Sequence, residues 1–154
     1  MQFDLKSYNK VINLSVITSN KLFQALACGS ICDLHFIGDT KCFPLYIYGS
    51  DGNRQDNITD WALEQFQNRF QDTTAVPSTQ TPTPKHQTPI TKQDIFHYIY
   101  AVLHNPNYRK KYELNLKWEF PRIPFYKDFW KWANWGETLM KLHIDFESVD
   151  KYEL

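Results

Sequence analysis

The run TKQDIFHYIYAVLHNPNYRKKYELNLKWEFPRIP, from Thr91 to Pro124, constrains this chain more than any other stretch. Thr91 with Asp94 three residues later forms a capping-box pattern, and Ile95, Tyr98, Ile99, Val102 and Leu103 recur at helical spacing. Asn105-Pro106 then restarts a helix, with Asn as the cap and Pro in the first turn. The second helix is expected to carry Tyr108, Tyr112 and Leu116 on one stripe and Arg109, Lys110 and Lys117 around the other side, and to end at Pro121. Pro121 and Pro124 stiffen the backbone beyond it into an extended clamp. The segment is therefore architectural in character: two capped helices closed by a proline-braced tail, with no nucleophile, metal cluster or phosphate loop inside it.

The first third reads as β structure. Val11–Thr18 is apolar and β-branched, Ile31–Ile37 alternates imperfectly, and Cys42–Tyr48 runs apolar with Pro44 near its start. Because Pro44 has no N–H for a ladder, that strand is expected at an edge or to begin at Leu45. Gly49–Asn53 is a turn by composition, and Asn57–Gln71 is an amphipathic helix with Thr59 as its cap. Asp72–Pro89 holds Pro77, Pro82, Pro84 and Pro89 among Thr, Ser and Gln, too few apolar groups to offset ordering entropy, and is expected to be a mobile loop. A last helix, from Asp128 to about Asp145, stacks Phe129, Trp132, Ala133, Gly136, Met140 and His143; Gly136 there implies a close helix crossing. The expected fold is α+β: one domain over 1–154, with a small, mostly antiparallel sheet and one helix in 1–71, the Pro/Thr-rich loop in 72–90 and a helical subdomain in 91–154.

The run from Asp94 to Pro124 resembles the C-terminal specificity region of type ISP restriction–modification enzymes, large single-chain proteins that join nuclease, translocase, DNA methyltransferase and target-recognition parts. YIYAVLH and PRIP carry most of the likeness. Upstream, the segment Cys32–Tyr48 resembles the family's stretch ending in FPLYLY, and downstream Phe129, Gly136, Leu139, Leu142 and His143 fit its closing helix. The resemblance spans roughly Asn13 to Ile144 and is interrupted at Pro77–Pro89, which looks like an insertion. It implies a part of a longer polypeptide whose work is to help select the DNA sequence on which a methyltransferase and a nuclease act.

Charge bears on that expectation in two ways. The chain's 17 basic and 17 acidic residues balance, so it carries no overall polycation signature. From Lys92 to Lys131, however, Lys92, Arg109, Lys110, Lys111, Lys117, Arg122, Lys127 and Lys131 outnumber Asp94, Glu113, Glu119 and Asp128. Arg109, Lys110, Lys111, Lys117 and Arg122 are the candidate phosphate contacts on double-stranded DNA. For Arg122 a buried ion pair that holds the clamp together is an equal alternative. Asn20, Lys21, Lys41 and Arg54 lie at expected strand ends or turns and are candidate base readers.

Other chemistry is thinly represented. Asn105-Pro106-Asn107-Tyr108 resembles the Asn-Pro-Pro-Tyr motif of amino-methyltransferases, but a helix precedes it and no Gly-rich cofactor loop accompanies it, so it reads as a helix junction. Cys28, Cys32 and His35 suggest zinc only weakly, lacking an evident fourth ligand, and free thiols are expected. His97 and His104, seven residues apart on one helix, are about 10 Å from each other and cannot share a metal ion. No cofactor is implied. No secretory leader or long apolar run is visible, and the expected location is cytoplasmic, without a membrane partner. The competing reading is a docking scaffold, whose Trp130, Trp132 and Trp135 would pack against the methyltransferase domain of the parent protein.

Overall fold

A computed structural model describes residues 9–15, 22–71 and 89–148. The expected mobile loop at 72–90 lies outside the described residues, save for Pro89 and Ile90.

Three strands form an antiparallel sheet in the order β2-β1-β3, with β1 at Val11–Ser15, β2 at Ala25–Cys28 and β3 at Thr40–Pro44. All five residues of β1 are buried. Its register sets Leu14 opposite Ala25 and Lys41, and Asn13 opposite Leu26 and Cys42. Pro44 closes β3, an edge strand, where a residue without an N–H is tolerated.

Two of the expected strands are corrected here. Ile31–Ile37 is a folded loop, because local bonds outcompete a ladder: Asp33 Oδ1 accepts from the His35 N–H (2.8 Å), Asp33 O from Phe36 (3.1 Å) and Leu34 O from Thr40 (2.6 Å). The strand in this region is instead Ala25–Cys28, whose small residues gave no β-propensity signal. Cys42–Tyr48, expected as one strand, divides at Leu45. The Leu45 N–H donates to Lys10 O (2.8 Å) and its carbonyl accepts from Asn57 (3.0 Å), so the chain leaves the first sheet there. It enters a two-stranded hairpin of β4 (Tyr46–Tyr48) and β5 (Arg54–Asp56), turned as expected through Gly49–Asn53 with Gly52 at φ 78°.

The helices α1 (Asp60–Gln71) and α2 (Lys92–His104) begin at the caps read from the sequence. Thr59 Oγ1 accepts from the Ala62 N–H, and Thr91 and Asp94 exchange both bonds of the capping box. Asn105 Oδ1 accepts from the N–H groups of Asn107 and Tyr108, with Pro106 at the helix start. The second helix of the pair is divided into α3 (Pro106–Lys111) and α4 (Glu113–Trp118), because Tyr112 at φ −109°, ψ 20° interrupts the ladder. After the clamp comes α5 (Phe129–Ile144), then a short 3₁₀ turn at Phe146–Ser148.

α2 is the centre of the molecule. Ile95 through Tyr98 and Tyr100 through Leu103 are buried. The expected close crossing is with α5: a Cβ on Gly136 would overlap the His97 carbonyl oxygen, so only hydrogen fits. On one side of α2, Phe66, Phe70, Tyr98, Phe125 and Phe129 form an aromatic cluster with neighbouring ring centroids between 4.9 and 6.3 Å. Lys92 ties hairpin, α1 and α2 together through Asp60 (2.6 Å) and Asp56 (3.4 Å).

Candidate nucleic-acid interface

The clamp after α4 is held by two tyrosine hydroxyls. Tyr98 Oη donates to Pro124 O (2.8 Å) and accepts from the Tyr126 N–H (2.6 Å); Tyr108 Oη donates to Arg122 O (3.0 Å). Burial pushes both phenols up to about 12, so they remain neutral donors. Extended backbone has no internal ladder, and these bonds satisfy carbonyls that would otherwise be stranded beside the core. The two anchors escaped the sequence reading because their apolar stripe explained them as core. The available signal was a hydroxyl on a stripe of otherwise hydrocarbon side chains, since a buried Tyr needs a partner.

The backbone is held at the Arg122 carbonyl and again at Pro124, and the Arg122 side chain points outward. The guanidinium meets the Glu119 carboxylate at 2.9 Å and is 88% exposed, so the alternative of a buried ion pair is corrected. The clamp owes its position to Tyr98 and Tyr108. Between clamp and α4 runs a groove of about 310 Å³ lined by Tyr112, Asn115, Leu116, Glu119, Arg122 and Ile123. Lys110, Lys111 and Lys117 are exposed on the two short helices, with the Lys111 ammonium 5.2 Å from the Tyr112 ring centroid.

The remaining candidates are dispersed. Arg109 is half-buried: its Nε donates to Leu103 O at 2.5 Å, its guanidinium lies over Phe23, and burial lowers its pKa. Lys41 is exposed on the edge strand β3, and Arg54 on β5 covers the Tyr46 ring at 4.3 Å. Lys21 and Asn20 lie outside the described residues. The Asn105-Pro106-Asn107-Tyr108 quartet is a helix junction whose Asn side chain is consumed by capping. Among the described residues no three His, Cys, Asp or Glu side chains are grouped to hold a metal ion, and the His35 ring faces Asp39 (3.8 Å).

Histidines elsewhere join elements together. His104 reaches Tyr100 O (2.8 Å) and, across to β2, Ala25 O (3.1 Å), while Tyr100 Oη accepts from the Ala27 N–H (2.9 Å) and meets His143 Nδ1 at 2.5 Å. The direction of the Tyr100–His143 bond follows the imidazole tautomer, since a phenolic oxygen that accepts from Ala27 can still either donate to Nδ1 or accept from it.

The tyrosine-anchored clamp lies within a known class of domain. The chain matches the Type ISP C-terminal specificity domain over residues 1–154 and belongs to that family. Solved structures are also similar to it. A DrdV–DNA complex determined by cryoEM shares 48% identity at a TM-score of 0.81, covering 95% of this chain and 13% of that one. A nuclease-deletion mutant of the Type ISP restriction-modification enzyme LlaGI, in complex with a DNA substrate mimic, shares 29% identity at a TM-score of 0.70, covering 96% of this chain and 11% of that one. The ATP-dependent Type ISP restriction-modification enzyme LlaBIII bound to DNA shares 25% identity at 0.70, covering 96% and 9%. This chain thus spans about a tenth of the length of those proteins. No curated protein matches it. Among the described residues no helix is long and apolar enough to cross a membrane.

Proposed function

We propose that this chain is a DNA target-recognition module of a Type ISP restriction–modification enzyme, acting by contact with duplex DNA and leaving methyl transfer and cleavage to other parts of such an enzyme. The reading is carried by one observation, that the solved relatives of this fold are bound to DNA or to a DNA substrate mimic. It is supported by exposed cations close together in the chain: Lys110, Lys111 and Lys117 on the two short helices and Arg122 on the tyrosine-anchored clamp that follows them. In this proposal those four cations contact phosphates and fix register, while polar side chains of the adjoining groove, Asn115 among them, lie close enough to a bound duplex to read base edges. Arg109 is reassigned to the scaffold, its Nε being spent on Leu103 O. Lys41 and Arg54 fall to a secondary contact on the sheet side.

The test is duplex binding by the full chain across a salt series. Replacing Lys110, Lys111, Lys117 and Arg122 by Ala is expected to flatten the slope of log K against log salt by about 3 to 4, since each phosphate deprived of its cation retains roughly 0.9 counterions. An unchanged slope overturns the assignment.

A second reading has an observation of its own. Leu114 (72% exposed) and Trp118 (68% exposed) leave large apolar area on α4, as a surface packed against a neighbouring methyltransferase domain would. If that domain covers α4, adding it will protect the Trp118 indole from a fluorescence quencher, and duplex DNA alone will not.

A further inference from the structure

The foot of the loop between β2 and β3 carries chemistry that the clamp does not use. Cys28 ends β2, and its sulfur lies 2.7 Å from that of Cys32, within about 0.7 Å of a disulfide's bond length of about 2.0 Å. Both thiols are partly exposed. The Cys28 thiol donates to Ser30 O (2.8 Å), and its sulfur faces the Nδ2 of Asn13 at 3.1 Å. Asn13 is fully buried, and its Oδ1 has no hydrogen-bond partner. The amide is turned so that its N–H groups face Leu26 O and the sulfur, an orientation suited to a sulfur that gains negative charge. The loop above is tightly folded, with Gly38 and Asp39 both at positive φ, and exposes Ile31 and Leu34.

We propose that Cys28 and Cys32 are a reversible dithiol–disulfide pair, a modification site that cross-links the loop's foot to the end of β2. The oxidant is a low-molecular-weight disulfide. Cys28 loses its proton and attacks one sulfur of the oxidant, forming a mixed disulfide and releasing one thiol. Cys32 then attacks the Cys28 sulfur, forming the internal S–S bond and releasing the second thiol. Two cysteine thiols are oxidised, one external disulfide is reduced to two thiols, and the two cysteine protons end on the released products. The Asn13 amide N–H facing the Cys28 sulfur at 3.1 Å makes Cys28 the entry point for the oxidant, while burial and the adjacent Cys28 thiol push Cys32 up to about 12. Cys42 stands opposite Asn13 on β3, and in this proposal it stays a free thiol.

The test treats the full chain with oxidised glutathione, blocks free thiols and digests with trypsin. Leu22–Lys41 holds Cys28 and Cys32 without Cys42. The expected product is that peptide lighter by about 2 Da, with Cys42 still blocked as a free thiol. Closure should be at least ~10-fold faster in the folded chain than in urea, since the fold holds the sulfurs together. Cys32→Ser should stop at a stable glutathione adduct on Cys28. Persistence of that adduct in the wild-type chain, prior oxidation of Cys42, or equal closure rates folded and in urea each overturns the proposal.

Discussion

The two sides of α2 solve the same problem differently. On the clamp side, Tyr98 holds irregular backbone by donating to Pro124 and accepting from Tyr126. On the sheet side, Tyr100 supplies the Ala27 N–H of the edge strand β2 with an acceptor and shares a second hydrogen bond with His143. Two residues apart on a helix, the side chains point in nearly opposite directions, so one turn of α2 secures both halves. The clamp side is backed by a dense aromatic cluster. The sheet side is looser: Asn13 Oδ1 is buried without a partner, and the β2–β3 loop leaves Ile31 at 77% exposure. Aromatic packing therefore backs the clamp, on which Arg122 is exposed.

The largest expected effect removes the support common to both sides. Gly136→Ala sets a methyl group against the His97 carbonyl and forces α5 away from α2. A loss of about 3 kcal/mol in urea-unfolding stability is expected, and a loss under 1 kcal/mol would mean that the crossing yields easily.

Next in size are the two tyrosines, which distinguish the sides. Tyr98→Phe and Tyr100→Phe each strand two polar partners and should each cost about 2 kcal/mol. Amide exchange should separate them: Tyr98→Phe accelerates exchange at Tyr126 and weakens duplex binding, while Tyr100→Phe accelerates exchange at Ala27 and leaves duplex binding unchanged. Equal effects on DNA from both would dissolve the distinction.

The smallest effect concerns pH. His97 Nε2 lies 3.2 Å from the Lys10 ammonium, so the ring is the acceptor and must be neutral. Burial first, then the Lys10 charge, lowers its pKa, with Glu137 and Asp94 opposing. A histidine depressed in the folded state takes up its proton more readily when unfolded, so stability falls as pH drops below about 6.5 and levels off below the folded-state pKa. The melting temperature should decline by a few degrees between about pH 7.5 and 5.5, and Lys10→Met should reduce that decline. A flat profile in the wild-type chain would remove His97 from the account.

How much of this was legible in the sequence tracked the range of the interactions. The caps at Thr59, Thr91 and Asn105 and the turn at Gly49–Asn53 depend on groups within a few residues of each other, and all were readable. For Pro44 the missing N–H allowed either an edge or a start at Leu45, and the pairing with β1 decided for the edge. Ala25–Cys28 was not, because it is a strand only by virtue of β1 on one side and Tyr100 on the other. Ile31–Ile37 misled in the opposite sense: its alternation was real, but Asp33 and Thr40 captured its backbone first. In the site, positive charge near the clamp was visible as composition, whereas the commitment of Arg109 to Leu103 O was not.

The amino-acid sequence alone determined where helices start, that Gly136 marks a close crossing and that the proline-braced tail is stiff, since each arises from steric and capping rules acting over one or two turns. Only the tertiary structure decided which cations face solvent, which tyrosines carry the clamp and which sulfurs touch. Those outcomes depend on groups tens of residues apart meeting at hydrogen-bond distance, and no local rule orders such pairs before the core closes around them.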